Sequence, residues 1–323
     1  MSENGQGMRA RSRPAVGVIV ALAVGVALAG PAHADDGSDA IENALERLPS
    51  EYGVLRDEAH ATRTVKFNIP NDPSVGVTLV TRHGELQVAL PFASRAADGV
   101  EVQSSALAYD NRNGSVTVPV GKKDGSVQIT TVLETPSAPT SFPYEISVEG
   151  LHRIEVTDDG AAMFIAGDGS FLGGASAPWA VDAAGNAVPT RYEVSGATLT
   201  QVVDHAADGY IYPIVADPWL GAALYYNAYV TWESKGHKVN TQPTPWGVNN
   251  ALPQQWWAHI SEVKSRLGAN ASKYNASILQ QHYCHLVGLP YSLPVFNLES
   301  WRPVMSYPSQ APYRCNYPEG YYH

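Results

Sequence analysis

Basic residues are scarce in this chain. Its 323 residues include 21 Lys and Arg against 31 Asp and Glu, a formal net charge of −10 at pH 7. Affinity for DNA or RNA rests on cations that neutralise phosphates, so a nucleic-acid partner is excluded. The same imbalance argues against broad electrostatic attachment to anionic lipid. Beyond the first 34 residues no apolar run is long enough to span a bilayer, and no lipobox-type cysteine follows them. Recognised catalytic signatures are missing too. There is no nucleophile elbow, no His-Glu-x-x-His and no Cys/His pair with usable geometry. Charged residues of either sign reach only 16%, whereas Gly (28) and Pro (23) are plentiful, which points to turn-rich, mostly β structure.

What is present begins with a leader. Arg9, Arg11 and Arg13 precede an uncharged apolar segment, Ala15 to Gly30, followed by Ala32-His33-Ala34 and then Asp35-Asp36. That is the three-part layout of a secretory signal peptide, with an apolar core too short for a membrane helix. Cleavage is expected near Ala34/Asp35, giving a secreted, extracellular protein. The leader carries three Arg and one Glu, so its removal takes the net charge from −10 to −12. The two cysteines, Cys284 and Cys315, are expected to form a disulfide in that oxidising compartment. Closing a loop of that length is worth about 3–4 kcal/mol in the chain-entropy model. A reactive or metal-binding thiolate is the competing reading.

Past the leader, residues 35–61 read as a short helix (Asp39 to Leu48) and a linker. Residues 62–216 then alternate with period two, as in Val65, Phe67 and Ile69. Strands are expected at 75–80, 85–90, 100–109, 115–120, 126–133, 144–148, 153–157, 161–165, 191–194, 198–203 and 210–215. Asn113-Gly114, Asp124-Gly125, Asp159-Gly160 and Asp168-Gly169 supply hairpin turns between them. The Asp-rich turns do not reproduce a calcium loop, so ordinary turns are the reading. Pro136 to Pro143 reads as a connection between two halves. The whole segment predicts an antiparallel sandwich or barrel-like domain.

Composition changes at Ala216-Asp217-Pro218-Trp219. Of 24 Trp and Tyr residues, 17 lie from Trp219 onward. Residues 217–323 predict a strand pair turning at Gly236, a helix over 253–267 and a second helix from a Ser272 cap to about Leu286. On the first helix Trp256, Ile260, Val263 and Leu267 share one face. An irregular tail follows, tied back by Cys315. The expectation is a small α+β domain closed by a disulfide.

Three segments near the C-terminus stand out: Gln281-His282-Tyr283-Cys284-His285, Phe296-Asn297-Leu298-Glu299-Ser300-Trp301-Arg302-Pro303, and Arg314-Cys315-Asn316-Tyr317-Pro318. Together they resemble a secreted actinobacterial family catalogued as domain of unknown function 2599. The resemblance spans about residues 219–318. Phe296 stands where a Trp is usual, and Tyr317 is inserted before Pro318. It implies a fold and a compartment and brings no activity with it.

The candidate groups are therefore weighed on their own chemistry. His282 and His285 are three apart on a helix, and Glu299 completes a two-His-plus-carboxylate set that could hold zinc or act in acid–base catalysis. The spacing is not that of a known helical zinc motif, so no metal and no cofactor is expected. Glu299, Trp301 and Arg302 read as a binding pocket or as an Arg fork satisfying an irregular loop. His285 and Tyr313 join them as candidate binding residues, because flat rings with polar tips stack on sugar faces. Three functions follow: a non-enzymatic binding module for cell-wall glycan or a surface protein, an extracellular hydrolase using His282, His285 and Glu299, or a structural envelope component.

Overall fold

The computed structural model describes residues 41, 43–45, 67–102, 106–206, 209–288 and 295–315, all within one compact unit. The expected leader and its cleavage point lie outside those residues, as do most of the 35–61 segment and Asn316 to His323.

Two antiparallel sheets dominate. The first runs in the order β1 (Phe67–Asn68), β2 (Val77–Thr81), β3 (Gly84–Val88), β8 (Ser141–Val148), β14 (Thr198–Val203) and β13 (Thr190–Ser195). Along β8 the side chains alternate without a break. Phe142, Tyr144, Ile146 and Val148 are buried, while Ser141, Pro143, Glu145 and Ser147 are exposed. Such a strand has one face on a core and one in water.

The second sheet follows the path β4 (Val100–Val102), β5 (Ala106–Asp110), β6 (Ser115–Gly121), β7 (Val127–Leu133), β16 (Trp219–Gly221), β11 (Phe171–Ala175), β10 (Ala162–Ala166) and β9 (Leu151–Val156). Off that path, β15 (Ile214–Asp217) pairs with β7 and with β12 (Trp179–Val181). Every residue of β6 and β7 is buried, because both faces are covered. Val127, Ile129 and Leu133 enter a core shared with Leu79, Leu86, Phe142, Tyr144 and Ile146 of the first sheet. Val116, Val118, Val120 and Val132 point the other way, under the helical residues Ile41, Ala44 and Leu45. The fold is thus a β-sandwich with helical cover on one outer face.

The same two-sided use of a strand seats the C-terminal region. Ala162 and Phe164 of β10 enter the sandwich core. Met163 and Ile165 enter a second cluster with Trp246, Val263, Ile278, Phe296 and Leu298. Those residues belong to α1 (Pro245–Asn249), α2 (Trp256–Leu267), α3 (Ala276–Val287) and a third sheet, β17 (Tyr225–Glu233), β18 (Gly236–Pro243) and β19 (Phe296–Glu299). Gly221 and Gly247 let this packing close. A Cβ on Gly221 would lie 2.4 Å from the Trp246 ring, and one on Gly247 only 2.0 Å from the Leu224 carbonyl oxygen.

Several boundaries differ from expectation for local reasons. The segment 100–109 is two strands paired with each other, β4 and β5. Val75 belongs to a 3-10 turn capped by Asp72, so β2 starts at Val77. Ser141 opens β8 inside the stretch read as a proline-rich connection. β11 was not expected because Gly173-Gly174 suppresses strand propensity. Yet a Cβ on Gly174 would meet the Ala162 carbonyl oxygen at 2.4 Å, so a small residue is required for β10 and β11 to pair. Pro253–Gln255 form a 3-10 turn ahead of α2. The cap of α3 is Asn275, whose Oδ1 accepts the Ile278 N–H at 3.0 Å, rather than Ser272. Finally β19 adds a third strand where irregular chain was expected.

Candidate functional site

Helix α2 buries only part of the face its apolar residues suggested, and adds polar residues to it. Ala258, His259, Glu262, Val263 and Leu267 are buried, whereas Trp256 and Ile260 are only partly so. The reason is polar. Where the chain enters β17, the Glu262 carboxylate accepts two backbone N–H groups, from Leu224 at 2.6 Å and from Tyr225 at 3.3 Å. Arg266 Nε closes on the same carboxylate at 2.7 Å. Burial raises the Glu262 pKa, opposed by Arg266 and by these hydrogen bonds.

One turn back on α2, His259 enters a buried chain of hydrogen bonds. Its Nε2 lies 2.7 Å from the Asn250 carbonyl oxygen, which can only accept, so Nε2 carries the proton. In the neutral ring Nδ1 then accepts from the Tyr225 hydroxyl, 2.8 Å away. Tyr225 in turn accepts from His282 Nε2 at 2.6 Å. His282 Nδ1 accepts from the Tyr274 hydroxyl at 2.6 Å. The order Tyr274→His282→Tyr225→His259→Asn250 therefore runs one way, with each proton placed by the next acceptor. It ties together β17, α2, the turn before α3 and α3 itself.

This constellation is inaccessible. His259 and His282 are 0% exposed, as is Tyr225. Burial pulls the His259 pKa down to about 4, and it pulls His282 well below the usual imidazole range, with His259 and His285 adding to the effect. Both ring nitrogens of His282 are engaged by tyrosines, so neither offers a lone pair to a metal ion. Among the described residues no three His, Cys, Asp or Glu side chains stand together as a metal set. The arrangement can hold elements in register. It cannot meet a substrate without opening.

The remaining candidates fall in two places. His285 follows His282 on α3 and stacks on Phe296, ring centroids 4.7 Å apart and 14° from parallel. Its Nε2 is buried without a hydrogen-bond partner, and burial lowers its pKa to about 4. Beside it Cys284 is bonded to Cys315, with Cα atoms 5.5 Å apart.

Glu299, Trp301 and Arg302 lie on the far side of the third sheet. Directly paired residues of antiparallel strands share a face. The register places Tyr229, Asn240 and Asn297 in one row, and Thr231, Lys238 and Glu299 in the next. Asn227 and Gln242 form a third row, joined by an amide hydrogen bond of 3.3 Å. Glu299 pairs with Arg302 and lies 3.5 Å from Lys238 Nζ, which also sits over the Trp301 ring. The opposite face of these strands, with Val239, Phe296 and Leu298, is the buried one. Tyr313 is exposed in a short 3-10 turn two residues before Cys315.

Sequence reading missed Tyr225, His259 and Glu262 altogether. His259 and Glu262 sit three apart on α2, spacing that puts them on one face. What gives them a role is a strand 34 to 38 residues earlier.

No curated protein and no solved structure matches the chain. Residues 227–318, which carry both cysteines, α2, α3 and β19, match the model of a family described as Protein of unknown function (DUF2599), the family that the Cys-His and Asn-Leu-Glu-Ser-Trp-Arg-Pro segments resemble.

Proposed function

We propose that the C-terminal region is a non-enzymatic recognition module of an exported protein, and that the open face of β17, β18 and β19 takes cell-wall glycan. The observation that carries this reading is the composition of that face. Asn227 and Gln242 put a pair of amides in one row, Tyr229 and Asn297 flank the buried Asn240 in the next, and Trp301 stands at the hairpin end against Gly236. Amide groups can donate and accept to sugar hydroxyls in pairs, and flat rings stack on the apolar faces of pyranoses. Asn227, Tyr229, Thr231 and Asn297 are exposed.

The hydrolase reading draws no comparable support. His282 is sealed between two tyrosines, His285 stacks on Phe296, and Glu299 is paired with Arg302. Cosedimentation with insoluble cell-wall sacculi tests the proposal. Retention that survives high salt supports recognition by stacking and neutral hydrogen bonds, because salt screens only the charged part. Failure to pellet at low and high salt sinks it.

A further inference from the structure

A groove of about 280 Å³ opens where the β2–β3 turn meets α2. Its lining divides by chemistry. Val80, Ala222 and Ala223 give an apolar wall over the buried Leu79, while Arg82 and Arg266 supply two guanidinium groups. Arg82 Nη2 donates to the Ser265 carbonyl at 3.1 Å, which sets its guanidinium beside the neighbouring Arg266. Arg266 is neutralised by Glu262 and donates to the Tyr226 carbonyl. Arg82 makes no ion pair among the described residues; burial and the repulsion of Arg266 lower its pKa, and the more distant Glu262 carboxylate only partly opposes them. Asp124 also lines the groove, its Oδ1 accepting from Ser126 and its Oδ2 from the Trp246 N–H, so its oxygens are turned to donors of the chain itself.

From this geometry we infer a second binding site, independent of the glycan face, for a small monocarboxylate with an apolar tail. The carboxylate meets the Arg82 fork, whose planar donors match it in pairs, and the tail lies along Val80, Ala222 and Ala223. The volume is just under the range of about 300–1,000 Å³ that holds drug-sized ligands, which limits the occupant to a short chain. Because the wall comes from the sandwich and Arg266 from α2, the ligand bridges the two packed parts.

Calorimetric titration of the full chain with sodium octanoate tests this, with inorganic phosphate and octanamide as probes of charge alone and tail alone. Octanoate is expected to bind, and both comparators at least roughly tenfold more weakly, the loss of a charge-assisted pair or of the buried tail. Arg82→Gln keeps an amide donor for Ser265 at an exposed position and is expected to weaken octanoate by roughly tenfold or more without lowering the melting temperature. Ala222→Phe fills the wall and is expected to block the site, while Tyr229→Ala leaves octanoate binding unchanged. The inference is overturned if octanoate does not bind, if Arg82→Gln and Ala222→Phe bind it as the parent does, or if phosphate binds as tightly.

Discussion

The hydroxyl of Tyr225 lies 2.6 Å from Nε2 of His282 in an interior that water does not reach. Between them these two residues join the first strand of the third sheet to the helix that carries Cys284. The bond leaves the tyrosine proton for His259, so a single hydroxyl satisfies two imidazoles. Buried polar groups are costly when unpaired and specifying when fully paired. Here every member from Tyr274 to Asn250 has its partner, which makes the network a register pin for the C-terminal fold.

Tyr225→Phe removes that hydroxyl and strands one acceptor and one donor. Each unsatisfied buried group costs about 1–3 kcal/mol, so a total loss of about 2–6 kcal/mol is expected in urea unfolding. A loss below about 1 kcal/mol contradicts the role assigned to the network.

Glu262→Gln keeps one acceptor for the Leu224 and Tyr225 N–H groups but leaves Arg266 without its counter-charge. Removing one partner of a buried pair is expected to cost about 3–5 kcal/mol, somewhat less here because Arg266 is not fully enclosed. The equilibrium midpoint in urea reports it. An unchanged midpoint rules out the capping role.

Acid should weaken the fold through the imidazoles. The folded-state pKa values of His259 and His285 are lowered to about 4, and that of His282 is also well below the usual imidazole range. The unfolded chain therefore takes up these protons first. Stability is full above the unfolded value near 6.5 and falls as pH drops from there toward about 4, by at most about 1.4 kcal/mol per pH unit for each ring. Asp217, whose buried carboxyl is pushed up to about 7, acts in the opposite sense over much of the same window. The difference between variants isolates one ring. His285→Phe preserves the stack on Phe296 and removes the unpartnered Nε2, so it should stabilise more at pH 5 than at pH 8. Equal effects at both pH values would show that His285 does not carry the linkage.

Cys315→Ser opens the disulfide to Cys284 and is expected to lower stability by about 2–4 kcal/mol, read by calorimetry. Two titratable thiols in the native protein would contradict the pairing.

Much of the sandwich was legible because its pattern is local. The alternation from Phe142 to Val148 and the Asp-Gly turns, such as Asp124-Gly125 with Gly125 at φ +88°, are written in neighbouring residues. The sequence also pointed to the cysteine pair and to the family resemblance, through short motifs. What stayed hidden depends on distant chain. β11 looks unfit for a strand until β10 is beside it, since its glycines are chosen for that approach. Helix α2 shows an apolar stripe through Trp256 and Ile260, yet the groups it buries, His259 and Glu262, answer polar demands from β17. Glu299 and Trp301 were marked as candidates, but the amide rows beside them emerge only from strand register.

The central claim is that the open sheet face recognises glycan, and the most direct test is cosedimentation of single variants with insoluble sacculi. Tyr229→Ala and Asn297→Ala alter exposed positions on that face and should leave the melting temperature within about 1–2 °C of the parent. Each is expected to weaken retention by roughly tenfold, the loss of an anchor contact worth about 1–2 kcal/mol. Retention equal to the parent in both variants would contradict that claim and remove the sheet face as the site.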